Sequence, residues 1–498
     1  MKILFASSEV HPFSKTGGLA DMVAALGKAL AHAGHEVHII TPLYRSIREK
    51  FPALTRVDWQ FNLPLGAKWE QGSLWFLELE NGLTIYFVEH PVFFDRPGIY
   101  LENNISYADN DARYIFFSKC VTHLARYSPW RPDVVHVHDW QAGLVPALML
   151  QQKRAEGWGN PPPTCLTIHN LAYQGTFPES AFDLTNLPGE FFTPDGVEFY
   201  HQLNCLKAGI VFADVITTVS PRYAREITTE ALGCALDDRL RQRRKQLFGI
   251  LNGVDYGEWN TTRNSFLSHP YSVTQLAGKA ANKLELQKEM GLPECTEVPL
   301  FGTISRLAEQ KGVDIELGAL EEMLSADIQF VLLGSGSPAF EKGYQKLALR
   351  FPGKVAVRLG YNERLAHRIE AACDFYLMPS QFEPCGLNQM YSLRYGTIPI
   401  VRATGGLDDS VIDYTQDSVQ ANGIKFQEYS ARALAKAVRK ALAVYAQPEL
   451  LHSFRQNAMK ADFSWDQTVD EYLKVYEAAK IFSDGITFDP TPKSLDAL

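Results

Sequence analysis

Apolar positions along this chain fall into short runs, each followed by a polar turn and then by apolar residues three or four apart. The first block sets the pattern. Lys2-Ile3-Leu4-Phe5-Ala6 is the run a buried parallel strand needs. Leu19, Met22, Val23, Leu26 and Leu30 then mark one face of a helix that Gly34 stops. Residues 36–41 predict a second strand ending at Pro42, and 73–79 with 84–89, parted by Asn81-Gly82, predict a hairpin. The stretch 109–127 is helical in pattern. Strands follow at 134–137, 164–168 and 215–219, then in the second half at 301–305, 329–333, 355–358, 375–378 and 398–401, with helical spacing between them. Such alternation predicts α/β domains built on parallel sheets with helices on both faces.

Length divides the pattern. The 498 residues exceed one core, and the apolar, turn-rich stretch 249–255 suits a junction. The expected units are 1–248 and 249–465, with a closing helix over 466–482 returning to the first and a loose tail at 483–498. Residues 14–22, Ser-Lys-Thr-Gly-Gly-Leu-Ala-Asp-Met, join the first strand to the first helix. Two glycines at a helix start let an anion approach the main chain, and Lys15 adds positive charge. An echo, Ala-Thr-Gly-Gly-Leu-Asp-Asp-Ser-Val at 403–411, follows the last strand. The repetition predicts two nucleotide-type domains facing across a deep cleft. Neither string is a Gly-x-Gly-x-x-Gly or a Walker A.

Composition removes several function classes. A net charge of −9 disfavours a nucleic-acid partner but leaves room for a diphosphate site with local cations. No apolar run approaches the length of a membrane span, and the N-terminus lacks a signal-peptide core. The seven cysteines are scattered and never in Cys-x-x-Cys spacing, which predicts reduced thiols in a cytoplasmic protein and no structural zinc. The basic run at 239–246 is expected to be a solvated helix face.

In parallel sheets ligands bind beyond the carboxyl ends of the strands. Those ends carry His138-Asp139-Trp140, His169-Asn170, Arg306 with Lys311, and Glu383 among Pro, Cys and Gly. Cations at Lys15, Arg306 and Lys311 suit a diphosphate leaving group and can stand in for a metal. The sole Asp-x-Asp, Asp109-Asn-Asp111, heads a helical stretch and is expected to cap it. His-Asp-Trp and His-Asn suit a sugar pocket, with Trp140 against an apolar sugar face.

At these residues the chain resembles the bacterial glycogen synthase and plant starch synthase family. The strings are Lys-Thr-Gly-Gly-Leu-Ala-Asp (15–21), His-Asp-Trp-Gln-Ala-Gly (138–143), His-Asn-Leu-Ala-Tyr-Gln-Gly (169–175), Leu-Asn-Gly-Val-Asp (251–255), Ser-Arg-Leu-Ala-Glu-Gln-Lys-Gly (305–312), Phe-Glu-Pro-Cys-Gly-Leu (382–387) and Thr-Gly-Gly-Leu (404–407). The resemblance implies a GT-B fold of two Rossmann-like doubly wound domains. It implies retaining, metal-free transfer of glucose from ADP-glucose to the non-reducing 4-hydroxyl of an α-1,4-glucan such as glycogen, with no cofactor.

By the same resemblance Lys15, Gly18 and Asp21 would serve the donor phosphates from the first domain, and Thr404, Gly405 and Gly406 from the second. Arg306 and Lys311 would hold the leaving diphosphate, and Glu383 would support the glucosyl centre. His169 would contact the transferred glucose, with Asp139 near sugar and acceptor. Tyr361 would lie by the adenine, and Asn252 would join the binding set. Many retaining GT-B enzymes carry a ribose-binding glutamate eight positions after the first, where this chain has Tyr391, so no ribose ligand is assigned there. Three other readings stay open: a pyridoxal-phosphate-dependent glucan phosphorylase, a synthase using UDP-glucose, and a silent carbohydrate-binding protein.

Overall fold

The computed structural model describes residues 1–103, 105–155 and 157–483, and the expected tail from 484 onward lies outside them. The chain forms two compact units, each considered by itself. The first comprises 1–219, 224–253 and the segment from 465; the second comprises 220–223 and 254–464. The chain thus leaves the first unit after Gly253 and re-enters it at Trp465, where the sequence reading placed the divisions at 248 and 465.

A nine-stranded sheet forms the first unit. Its order is Leu247–Gly249, Val215–Thr218, Thr164–Ile168, Val134–His138, Lys2–Ala6, Glu36–Pro42, Leu83–Glu89, Lys68–Glu78 and Thr55–Leu65. Strands from Leu247–Gly249 through Leu83–Glu89 run parallel, and the last two close one edge antiparallel. The hairpin across Asn81-Gly82 is present, with Asn81 at φ 59°. Its first arm begins at Lys68, and the edge strand Thr55–Leu65 is an addition to the expected set. Polar alternation along that edge strand leaves much of it exposed and weakens its apolar signal.

The first helix spans Gly18–His32, and the five residues expected on its inner face are all buried. Gly34 ends it at φ 87°. The helix Trp465–Ser483 packs on that first helix and on the strands Thr164–Ile168 and Val215–Thr218. Its Tyr476 is fully buried and brings its hydroxyl 2.9 Å from His136 Nδ1 inside the sheet.

The second unit is a six-stranded parallel sheet in the order Val355–Leu359, Gln329–Gly336, Leu300–Leu307, Phe375–Met378, Ile398–Arg402 and Ile424–Phe426. Five of these strands match the periodicity; the short edge strand Ile424–Phe426 was not expected. Core residues such as Phe301, Phe330, Leu332, Phe375 and Ile400 are wholly or nearly wholly buried between sheet and helices.

Two local expectations are refined. Asp109 stands at the N-cap of the helix Asn110–Tyr127 but makes no side-chain cap hydrogen bond. The Asp109 carboxylate instead takes a two-pronged ion pair from Arg96, at 2.7 and 2.6 Å, while Asp111 accepts from the neighbouring Ala112 N–H. The basic run is also more than a solvated face. Arg239 and Arg241 pair with Asp195, Asp237 and Asp238 near the surface. Arg243 turns inward, donating to the carbonyls of Ile210 and Val211 at 2.7 and 2.6 Å.

Candidate active site

Among its parallel strands each sheet reverses its order once, and at such a switch point two loops diverge and leave a crevice beyond the strand ends. In the first unit the reversal lies between Lys2–Ala6 and Val134–His138. The loop after Ala6 carries Lys15, and the loop after His138 begins with Asp139. In the second unit it lies between Leu300–Leu307 and Phe375–Met378, whose following loops carry Lys311 and Glu383.

Glu9 organises the first of these loops. Its buried carboxylate receives the backbone N–H and the hydroxyl of Thr16, the latter at 2.7 Å, and the Tyr100 hydroxyl at 2.7 Å. Thr16 directly precedes the glycines, so Glu9 sets the path of the turn. Gly17 occupies the cap position of the first helix with no side-chain cap, and a Cβ placed there meets nothing within 4 Å. This leaves open space at a helix N-terminus, the requirement for an approaching anion. Lys15 Nζ is paired with Asp21 Oδ1 at 2.7 Å, so its charge is held at the loop by the helix's own first turn. The sequence reading passed over Glu9; its position three residues beyond a buried strand was the available signal.

On the next loop, Asp139 sits at φ 54° and its Oδ1 accepts from the His169 N–H at 2.7 Å. The pairing of His138 with Thr167 in adjacent parallel strands makes this contact possible, because it brings both strand ends level. Burial pushes the Asp139 carboxyl up to about 7, against the backbone hydrogen bonds from His169 and Asn170. Burial also holds the His169 ring down to about 3 and keeps His138 well below its ordinary value. Both are therefore neutral near pH 7, and His138 Nδ1 shares one hydrogen with His169 Nε2 across 3.1 Å. A neutral imidazole offers a sugar hydroxyl a hydrogen bond without a charge.

The half-buried Trp140 ring packs edge-on against Tyr114 at 5.0 Å and Phe177 at 5.6 Å. A Cβ on Gly175 would come within 2.3 Å of it, which is why glycine ends the His169 loop. Asn252 is buried, with no partner for its Oδ1 among the described residues.

In the second unit Lys311 ends the turn Glu309–Lys311, and Gly312 follows at φ 72°. A Cβ on Gly312 would lie 2.1 Å from the Pro379 carbonyl oxygen, so only glycine lets this turn press on the neighbouring loop. Gln381 N–H donates to the Gln310 carbonyl at 2.8 Å and ties the two loops together. The result is an ion pair between Lys311 Nζ and Glu383 Oε2, with the Ser380 hydroxyl 3.0 Å from the same oxygen. Gly406 N–H lies 3.1 Å from both the Glu383 and Pro384 carbonyls, and a Cβ on Gly405 would meet the Glu383 oxygen at 1.9 Å. The two Thr-Gly-Gly strings thus differ: the first opens on empty space, whereas the second braces the Glu383 loop. Thr404 is buried at its head.

Arg306 is exposed at the end of its strand and lines a cavity of about 550 Å³ with Leu307, Ser335, Gly336 and Phe340. Arg306 and Lys311 share one turn, in which the Ala308 N–H donates to the Arg306 carbonyl and the Lys311 N–H to the Ala308 carbonyl, each at 3.0 Å. Tyr361 follows the edge strand Val355–Leu359 and is 75% exposed, two strands from Arg306. Tyr391 stacks on Trp259, rings 3.6 Å apart, and is engaged in packing rather than held at a ribose.

Among the described residues, Glu258, Glu363 and His367 lie close enough to hold a metal ion. His367 Nδ1 lies 2.9 Å from both the Asn264 amide and the Tyr395 hydroxyl, while its Nε2 is buried with no partner among the described residues.

The fold and these crevices define a two-domain nucleotide-sugar glycosyltransferase of the GT-B class. Family models agree: the starch synthase catalytic domain matches residues 2–242, and the glycosyl transferases group 1 match 285–461. A glycogen synthase from a strain of Anaeromyxobacter is 45% identical over 96% of this chain and 99% of its own. A glycogen synthase 2 from Geobacter sulfurreducens is 41% identical over 96% and 99%. The catalytic domain of starch synthase IV from Arabidopsis thaliana, bound to ADP and acarbose, superposes with a TM-score of 0.86 at 35% identity, covering 96% of this chain and 99% of that one. A sucrose-phosphate synthase from Thermosynechococcus elongatus, 18% identical with a TM-score of 0.60 over 97% and 99%, shares the fold. The chain belongs to the glycogen synthase family.

Proposed function

We propose that this enzyme transfers glucose from ADP-glucose to the non-reducing 4-hydroxyl of an α-1,4-glucan with retention, using neither metal nor cofactor. The observation that carries the reading is the Lys311–Glu383 pair at the switch point of the second sheet, on the family's own motifs. The starch synthase relative bound to ADP supports an adenine nucleotide donor.

The second unit is the donor domain and the first the acceptor domain. Arg306 and Lys311 neutralise the diphosphate as its bond to C1 breaks, and preorganised cations lower the cost of that charge. Lys15 and Asp21, with the open helix start at Gly18, serve the donor phosphates from the first domain. Glu383, held by Lys311 and Ser380, supports the glucosyl centre, and Thr404, Gly405 and Gly406 fix its loop. Neutral His169 donates or accepts at a sugar hydroxyl. Asp139, held by the His169 backbone, stands near the acceptor. In a front-side displacement the acceptor oxygen bonds to C1 on the face the phosphate leaves, and a phosphate oxygen takes the hydroxyl proton. Tyr361 lies by the adenine, and Asn252 completes the binding set.

No helix among the described residues is long and apolar enough to cross a membrane, and all seven cysteines are free, which supports a cytoplasmic location. Incorporation of labelled glucose into glycogen, from ADP-glucose and UDP-glucose in parallel with EDTA present, tests the proposal. Transfer from ADP-glucose despite EDTA is the expected result. Preference for UDP-glucose overturns the donor, and loss of activity in EDTA overturns metal independence.

A further inference from the structure

The His169 loop runs through Gly175 into the strand Thr176–Pro178, which pairs with Gln202–Asn204, which in turn pairs with Glu198–Phe199. The last two strands form a hairpin whose two-residue tip is Tyr200-His201. Both tip residues lie at positive φ, 49° and 60°. Tight hairpins favour Asn-Gly at such a tip because bulky side chains are strained there, by roughly 1 kcal/mol or more each. Folding gains little from a tyrosine at this point. Its side chain is 73% exposed, and its ring meets Phe199 edge-on at 4.8 Å. The surroundings hold the tip in place: Glu198 Oε1 accepts from the His201 N–H at 2.6 Å. At the hairpin's base, buried Lys207 reaches the carbonyls of Pro194 and Glu198. A strained, well-braced and exposed aromatic is an outlier from which a function follows.

We propose that Tyr200 is a glucan-binding platform, its ring stacking on the apolar face of a sugar in the acceptor chain and its polar neighbours Glu198, His201 and Gln202 meeting the hydroxyls. The occupant is an α-1,4-glucan, and this rests on the synthase reading given above. Two features select it. An exposed aromatic beside hydrogen-bonding groups matches the amphipathic faces of a pyranose. The hairpin is also continuous with the His169 loop: Cys205 N–H donates to the Gly175 carbonyl at 3.1 Å, and Leu206 N–H to that of Gln174 at 3.0 Å. At about 3.3 Å per residue, the tip stands some 10 Å along the strand from Asn204. A short acceptor therefore gains less from Tyr200 than a long chain does.

The test is affinity electrophoresis in gels containing glycogen, without donor, together with KM values for glycogen and maltotriose. The variants are Tyr200→Ala, Tyr200→Phe, and Tyr200→Asn combined with His201→Gly. The double variant supplies the preferred turn, so its melting temperature should rise while its glycogen affinity falls roughly five- to tenfold. Tyr200→Ala should lose a similar factor, Tyr200→Phe should retain most of the affinity, and KM should rise more for glycogen than for maltotriose. Wild-type glycogen affinity in the double variant, or equal KM increases for both acceptors, overturns the platform. Absence of transfer in the wild-type enzyme would instead refute the synthase reading, so the two failures are separable.

Discussion

Lys311 Nζ lies 2.6 Å from Glu383 Oε2, an ion pair joining two loops that leave adjacent parallel strands. Its partners are mostly withdrawn from solvent, the Glu383 side chain to 8% and that of Lys311 to 20%. On the proposed reading, a donor diphosphate would compete with Glu383 for Lys311.

Replacing Lys311 with Ala should reduce turnover by about 10²-fold or more, since the diphosphate leaves without its charge partner. Glu383→Gln should lower turnover far more than donor affinity. Because each variant strands the other's partner, the double variant should be less impaired than the two effects combined. Steady-state kinetics with ADP-glucose decide the matter; an unchanged rate in Lys311→Ala removes the lysine from the mechanism.

Glu9→Gln weakens the anchor of Thr16 and Tyr100, and with it the path of the glycine turn. We expect KM for ADP-glucose to rise roughly tenfold, with a smaller fall in kcat, as one charged hydrogen-bond acceptor is lost. Unaltered donor KM would separate Glu9 from the phosphate loop.

Burial raises the Asp139 carboxyl to about 7, so its proton is lost as pH rises through that value. Activity that needs the carboxylate must fall as pH drops through about 7, well above the range of an ordinary aspartate. Asp139→Asn should lower the rate and abolish that limb of the profile. A limb that survives in the variant belongs to another group.

Glu316 tests the same physics in the core of the second unit. It is buried, with Oε1 accepting from Tyr344 at 2.8 Å and Thr303 at 3.0 Å, and burial raises its carboxyl to about 7. Between its unfolded and folded values the native state holds the extra proton, so this group's contribution to stability falls as pH rises through that window. The slope approaches about 1.4 kcal/mol per pH unit. Urea denaturation at about pH 5 and pH 8 should show a smaller decline in Glu316→Gln than in wild type; equal declines would place the titration elsewhere.

Much of the candidate site was legible because its residues sit beyond strand ends. Lys15, Asp139 and His169 in the first unit, and Lys311 and Glu383 in the second, follow apolar runs, and within each parallel sheet such positions gather at one edge of the strands. The contacts of Trp140 with Tyr114, Phe177 and Gly175 are set by folding and are not visible from its sequence neighbours His138 and Asp139. Glu9 was missed because its partners, Thr16 and Tyr100, are set by folding. Arg243 was read as solvated since local charge does not reveal which carbonyls lie beneath a helix end.

Periodicity, turn residues and motif spacing are local properties, and by themselves they determined the inner strands of both sheets, the first helix, the α/β class and the strings on which the family rests. They did not determine the edge strands Thr55–Leu65, Leu247–Gly249 and Ile424–Phe426. Strand order and loop packing are non-local, so only the tertiary structure decided which strand ends became neighbours. That ordering set Lys311 against Glu383, 72 residues on, and placed Tyr476 of the last helix against His136, 340 residues away. It also left open space at Gly17 while closing it at Gly405. Two nearly identical strings differ in use because burial depends on what packs around a turn, and a turn's own sequence does not carry that information.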